Sequence, residues 1–169
     1  MRILSVDIGL YVTGYVICEV DNLKISLIKE DEIKTARYDT FSKKLNYIFE
    51  CLENQIQIFK PEAVLLERLY SHYRHPITFG ILAQIRGVVV LLTERKNLKL
   101  FEFSPTKAKK SILGKGNSKS FQVKKMAENI TGHTFKSNHT ADAFSLVIAF
   151  SHMQKINKLE IFFKYDFKN

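Results

Sequence analysis

Ile3-Leu4-Ser5-Val6-Asp7-Ile8-Gly9-Leu10-Tyr11-Val12-Thr13-Gly14-Tyr15-Val16-Ile17-Cys18-Glu19-Val20 is the stretch whose reading decides the fold. Apolar and small residues alternate through it, and breaks at Gly9-Leu10 and Asp21-Asn22 predict strand, turn and strand. A third strand over about Lys24 to Lys29 completes an antiparallel meander. Downstream, Phe41, Leu45, Ile48, Phe49, Leu52, Ile56 and Phe59 recur at three- and four-residue spacing, which predicts an amphipathic helix ended before Pro61. Ala63 to Leu66 is a short, wholly apolar run, as expected of a strand covered on both faces, and it delivers Glu67 at its end. Pro76 opens a long helix reaching about Lys96, and Leu98 to Phe103 reads as another strand. Pro105 to Leu113, Lys119 to Ile130 and Asn138 to about Ile156 read as helices. The order βββαβαβααα predicts an α/β domain with a mixed sheet.

The chain has 169 residues, 46% hydrophobic and 25% charged, which suits one domain with a substantial core. That domain is expected over residues 1–157. The aromatic tail at 158–169, with Ile161-Phe162-Phe163, is expected to pack on it. The chain goes straight into Arg2-Ile3-Leu4, so a reduced cytoplasmic setting is expected, with Cys18 and Cys51 as unpaired, buried side chains. The most apolar stretch, Ile81 to Leu92, is interrupted by Gln84 and Arg86. It is shorter than the roughly 20 residues of a membrane crossing, so no membrane partner is expected.

The net charge is +9 and the sequence pI about 9.5, values that suit a polyanionic partner. Between Glu102 and Glu128 there is no acidic residue, while Lys107, Lys109, Lys110, Lys115, Lys119, Lys124 and Lys125 fall in that window. A solvated basic face would show the same lysines. Phosphate binding is favoured because they surround Gly114-Lys115-Gly116-Asn117-Ser118, whose glycines let backbone N–H groups approach an anion.

Asp7 and Glu67 stand where strands stop, and His139 and Asp142 lie one helical turn apart. Singly, each has a structural reading as a turn, strand-end or helix-start residue. Together, acids and an imidazole at such positions can converge on divalent metal ions that activate water against phosphate. The helix after Pro76 is apolar around most of its circumference, with Gly80 and Gly87 permitting close approach. It reads either as a homodimer contact, through side chains such as Val88 and Leu92, or as a helix sandwiched within its own fold.

In order and spacing, Ser5-Val6-Asp7-Ile8-Gly9, Thr13-Gly14-Tyr15, Glu67-Arg68-Leu69-Tyr70, Gln84-Ile85-Arg86-Gly87, Phe103-Ser104-Pro105, Gly114-Lys115-Gly116, Gln122-Val123 and Asp142-Ala143 resemble the RuvC family of Holliday-junction resolvases. The resemblance covers about residues 1 to 153. It implies an RNase H-like fold, with a mixed five-stranded sheet of antiparallel meander plus parallel strands flanked by helices. It also implies a homodimer that resolves four-way DNA junctions by paired symmetric cleavage, with branch-migration machinery as a further partner. Two divalent ions per site, Mg²⁺ or Mn²⁺, are implied, held by Asp7, Glu67, His139 and Asp142. For DNA contact it implies base stacking by Tyr70 and phosphate contact by Lys109. Arg74, Lys107, Lys110, Lys115 and Lys119 complete the expected DNA-binding set, with His72 and His75 on the same loop as Tyr70 and Arg74. The alternative is a branched-DNA-binding module of the same fold without efficient cleavage. Three departures stand out. Most members have Asp where this chain has His139, which should favour Mn²⁺ over Mg²⁺, and Ile8 replaces the usual Pro. Ser120 stands where the family has a lysine, with Lys119 beside it.

Overall fold

A computed structural model describes residues 1–21, 24–69 and 76–165, with side chains described through Lys155. The elements in chain order are β1 (Arg2–Asp7), β2 (Val12–Asp21), β3 (Lys24–Lys34), α1 (Phe41–Phe59), β4 (Ala63–Glu67), α2 (Pro76–Arg95), β5 (Lys99–Phe103), α3 (Pro105–Leu113), α4 (Ser120–Thr131) and α5 (Asn138–Tyr165). The strands form one five-stranded sheet in the order β3-β2-β1-β4-β5. β1, β2 and β3 are the antiparallel meander, and β4 and β5 run parallel to β1.

Alternation along the strands sorts side chains to two faces. On one face Ile3, Val16, Cys18 and Leu65 join a core with Ala108 of α3, Val123 of α4 and Phe144, Val147 and Phe150 of α5. On the other, Leu4, Val6, Ile17, Val64 and Leu66 join Ile48 and Leu52 of α1 and Ile85, Val89 and Leu92 of α2. The sheet is therefore the middle of three layers. By the same alternation Asp7 and Glu67, in register with Ile3, Ser5 and Leu65, point to the α5 face. Ser5 fastens that layer directly, its hydroxyl donating to the Ala143 carbonyl at 2.7 Å.

Local chemistry ends the helices where the sequence suggests. Thr40 caps α1, its Oγ1 accepting from Lys43 N at 3.4 Å, and Lys60 closes it in the left-handed region at φ 48° before Pro61. Ser104 caps α3 in the same way, accepting from Lys107 N at 3.1 Å.

Several expectations change. β3 continues to Lys34 rather than stopping near Lys29, because Glu30, Asp31 and Glu32 pair with β2 despite their polarity. The last helix runs to Tyr165, so most of the stretch expected as a separate tail has helical backbone. Cys51 is only half-buried, while Cys18 is buried; both are free thiols. α2 is 20 residues long and, by length and composition, apolar enough to cross a membrane. Its Ile85, Val89 and Leu92 lie in the core, so one side of it is a packed side of the domain. Leu92, expected on a dimer face, is 1% exposed, whereas its neighbour Leu91 is 57% exposed. Ile77 at the helix start is also exposed, and among the described residues no neighbour approaches the Cβ position of Gly80 or Gly87.

Candidate active site

Asp7 ends β1 and Glu67 ends the neighbouring parallel strand β4, with Val6 opposite Leu66 just before them. Glu67 is held from the far side as well, since the sheet pairing continues through it to Phe103 and the Arg68 N–H donates to the Phe103 carbonyl at 2.8 Å. α5 brings the remaining two groups across the top of β2. Gly14 opposes Asp7 in the β1–β2 ladder, and a Cβ there would lie 2.7 Å from both His139 Cβ and His139 O. Only glycine lets the start of α5 sit so low on the sheet. Ser137 caps that start, its Oγ accepting from the N–H groups of His139 at 3.1 Å and Thr140 at 3.4 Å.

In this arrangement His139 Nδ1 is 2.7 Å from Asp7 Oδ2. The Asp7 side chain is only 16% exposed, and that of His139 is 44% exposed. Burial pushes the Asp7 carboxyl above its ordinary range, against the opposing pull of His139 and Lys109. Burial likewise pushes Glu67 up to about 7, with repulsion from Asp7 and Asp142 adding to it and Lys109 opposing. Asp142 is pushed up to about 6, mainly by burial, while a hydrogen bond from Ser120 works the other way. The hydrogen bond to Asp7 raises His139 in turn. Three carboxyls and an imidazole on one face thus share a field that resists full ionisation. Lys109 is the cation common to Asp7, Glu67 and Asp142.

Among the described residues, no three His, Cys, Asp or Glu side chains are gathered closely enough to hold a metal ion as they stand. Asp7 and His139 touch one another, while Glu67 and Asp142 stand within electrostatic reach of them. The donor chemistry nonetheless suits a divalent cation. Hard carboxylate oxygens predominate, one borderline imidazole joins them, and a bound cation would stabilise the ionised form that burial disfavours in each carboxyl.

A sequence model described as crossover junction endodeoxyribonuclease RuvC matches residues 3–152. The chain belongs to the RuvC family. By that membership it is a nuclease acting on phosphodiester bonds. A RuvC from Chlamydia caviae is 31% identical over 155 residues, spanning 89% of this chain and 92% of the relative. The solved structure of Thermus thermophilus RuvC shares the fold with a TM-score of 0.80 at 20% identity, covering 93% of this chain and 97% of that one. The same protein in complex with Holliday junction substrate also gives 0.80, at 18% identity, with 92% and 96% covered. The fold is RNase H-like.

The structure also separates the lysines, among which the resemblance to the RuvC pattern singles out Lys109. Lys109 faces the carboxyl groups, whereas Lys107, Lys110, Lys115 and Lys119 are solvent-exposed on α3 and the loop after it. The loop glycines have duties within the fold. Gly114 ends α3 in the left-handed region at φ 73°, and Gly116 lies where a Cβ would collide with Thr106. Ser120, at the position where the family has lysine, reaches Asp142 instead. Tyr70, Arg74, His72 and His75 lie outside the described residues.

Sequence reasoning missed Glu32. It opposes Gly14 across the β2–β3 ladder, so Asp7, Gly14 and Glu32 stand in one row on one face. Burial works to raise its carboxyl, but hydrogen bonds from Ser137 and Lys34 hold it below its ordinary range. Through Ser137 it anchors the cap of α5. The signal was present as an acid at alternating phase with Glu30, hidden by a stretch too polar to read as strand.

Proposed function

We propose that this RuvC-family chain resolves four-way DNA junctions by paired, symmetric phosphodiester cleavage as a homodimer. The reading is carried by Asp7, Glu67 and Asp142, delivered from three separate elements to one face and each raised by burial. Asp7, Glu67, His139 and Asp142 would hold Mg²⁺ or Mn²⁺, two ions per site. The chemistry supplied by such ions when bound is Lewis-acid activation of water and neutralisation of charge on the phosphate.

The chain's own residues do the remaining work. Lys109 brings a positive charge to the same face and offsets part of the carboxylate field, favouring entry of a phosphodiester. Exposed Lys107, Lys110, Lys115 and Lys119 bind backbone phosphates by counterion release, which gives affinity without sequence choice. His139 holds Asp7 in a fixed rotamer, and Ser120 holds Asp142. The exposed α2 face bearing Ile77 and Leu91 is the surface we assign to the partner subunit. A two-fold axis there presents two identical sites to two opposed strands.

The test is incubation of purified protein with a synthetic four-way junction and each divalent ion, mapping nicks on all four strands. Symmetric nicks on one opposed pair are expected. Binding without nicking in every metal would leave a branched-DNA-binding module in its place.

A further inference from the structure

Beyond Asp7, the same end of the sheet continues onto a surface of tyrosines and cations. Tyr11, in the β1–β2 turn, is 60% exposed, and Lys44 Nζ lies 4.9 Å from its ring centroid. Arg37, between β3 and α1, lies over two rings, its guanidinium carbon 5.0 Å from the Tyr38 centroid and 4.7 Å from that of Tyr47. It also donates to Tyr38 Oη at 2.9 Å. The turn and this connection are fastened together by Thr35, whose N–H donates to Tyr11 O at 3.0 Å and whose hydroxyl donates to Leu10 O at 2.6 Å.

Charge and position point to one kind of ligand. Lys43 is tied to Asp39 at 3.0 Å and Lys34 to Glu32 at 3.2 Å. Among the described residues neither Arg37 nor Lys44 is paired with a carboxylate, so both cations are available to a phosphate. The turn also abuts the site, since a Cβ on Gly9 would lie 3.7 Å from His139 Cε1. It leans toward the β3 edge, whereas α3 with Lys107, Lys109 and Lys110 follows β5 at the opposite edge.

We propose that Tyr11, Lys44 and the Arg37–Tyr38–Tyr47 stack form a second DNA-contacting wall. It takes an unstacked nucleotide of the strand that runs into the carboxylate cluster, with the rings against the base and the two cations against flanking phosphates. The inference rests on the junction-cleaving reading and extends it. A strand crossing the site is then held on both sides of His139, by α3 on one and by this wall on the other.

The test measures binding of a labelled four-way junction, its duplex arm and its single strand, without divalent ions, over a range of salt. The unaltered protein is compared with Lys44→Ala, Arg37→Ala, Tyr11→Ala and Tyr11→Phe. Lys44→Ala is expected to flatten the slope of log affinity against log salt by about 1. Tyr11→Ala is expected to weaken junction and single-strand binding at least about five-fold at every salt, while Tyr11→Phe binds as the unaltered protein does. Unchanged slope in Lys44→Ala together with unchanged affinity in Tyr11→Ala would overturn the wall. Should the unaltered protein show no preference for junction over duplex, the proposed function falls, and the single-strand measurements still decide this inference. Because a variant can misfold, photo-cross-linking of the unaltered protein to a junction carrying 5-iododeoxyuridine gives a second answer. Adducts at Tyr11, Tyr38 or Tyr47 support the wall, and adducts confined to other residues overturn it.

Discussion

His139 Nδ1 and Asp7 Oδ2 lie 2.7 Å apart, joining the start of the last helix to the end of the first strand. In most of the family the first of these positions carries a carboxylate, so this chain exchanges a repulsive pair for a hydrogen-bonded one. Activity with Mn²⁺ should exceed activity with Mg²⁺ at equal concentration, and His139→Asp should shift the preference toward Mg²⁺. Cleavage rates in the two metals, before and after substitution, decide it. An unchanged ratio would leave His139 as a partner of Asp7 alone.

Asp7→Asn and Glu67→Gln should each lower cleavage by at least about 100-fold, since even groups that only support metal ligands are worth 10- to 100-fold. Junction affinity should change little, because exposed lysines supply most of it. Single-turnover cleavage and an anisotropy titration on the same preparation give both numbers. Normal cleavage by either variant removes that residue from the mechanism.

The raised carboxyls predict the direction of pH dependence without metal. Well below the ordinary carboxyl values the groups are protonated in folded and unfolded chains alike, and the folded state keeps its full stability. As pH rises, the unfolded chain releases protons first, at the ordinary values of 4.5 for Glu67 and 3.8 for Asp142, while the folded chain holds them to about 7 and about 6. Stability is therefore lost across that window. His139, raised by Asp7, loses its contribution in the same direction at higher pH. The metal-free melting temperature should fall from pH 5 to pH 8, and Glu67→Gln should flatten the fall, stabilising the protein at pH 8 by on the order of 2 kcal/mol. Mg²⁺ should stabilise more at pH 8 than at pH 5, since it competes with protons. A melting temperature that rises over this range would contradict the assignment.

Gly14→Ala should both destabilise the fold and disable the site, because the added methyl meets the backbone at His139. Overpacking of this kind costs about 1 to 3 kcal/mol. Urea denaturation measures the loss.

On α2 the two adjacent leucines should part company. Leu91→Glu should yield a folded monomer, whereas Leu92→Glu should fail to fold, since an unpaired charge cannot be buried cheaply in the core. Sedimentation and circular dichroism distinguish the outcomes. A monomeric unaltered protein in its junction complex would remove the paired-site mechanism.

Asp7 and Glu67 were legible because period-two alternation assigns both a strand and a face, and each ends its strand. The element order was legible for the same reason in its helical form, through the spacing that runs from Phe41 to Phe59. What stayed hidden depends on phase or on distant contacts. Leu91 and Leu92 look alike in a helix apolar all round, and only packing against the sheet separates them. Glu30-Asp31-Glu32 reads as loop until its partners are known: His133 and the Lys136 N–H on Glu30, Lys136 Nζ on Asp31 and Ser137 on Glu32. Lys109 was set apart from Lys107 and Lys110 only by the family resemblance, because its direction on α3 is invisible to a count of basic residues.

The Ser5 hydroxyl that grips the Ala143 carbonyl joins residues 138 apart, and the site between them is built from the same two ends of the chain. A chain in which β1 and β2 have paired but α5 has not docked therefore holds Asp7 without His139 or Asp142 beside it. Assembly of the candidate site is thus coupled to one of the longest-range contacts of the fold, the kind that forms late because its loop-closure cost must be met first.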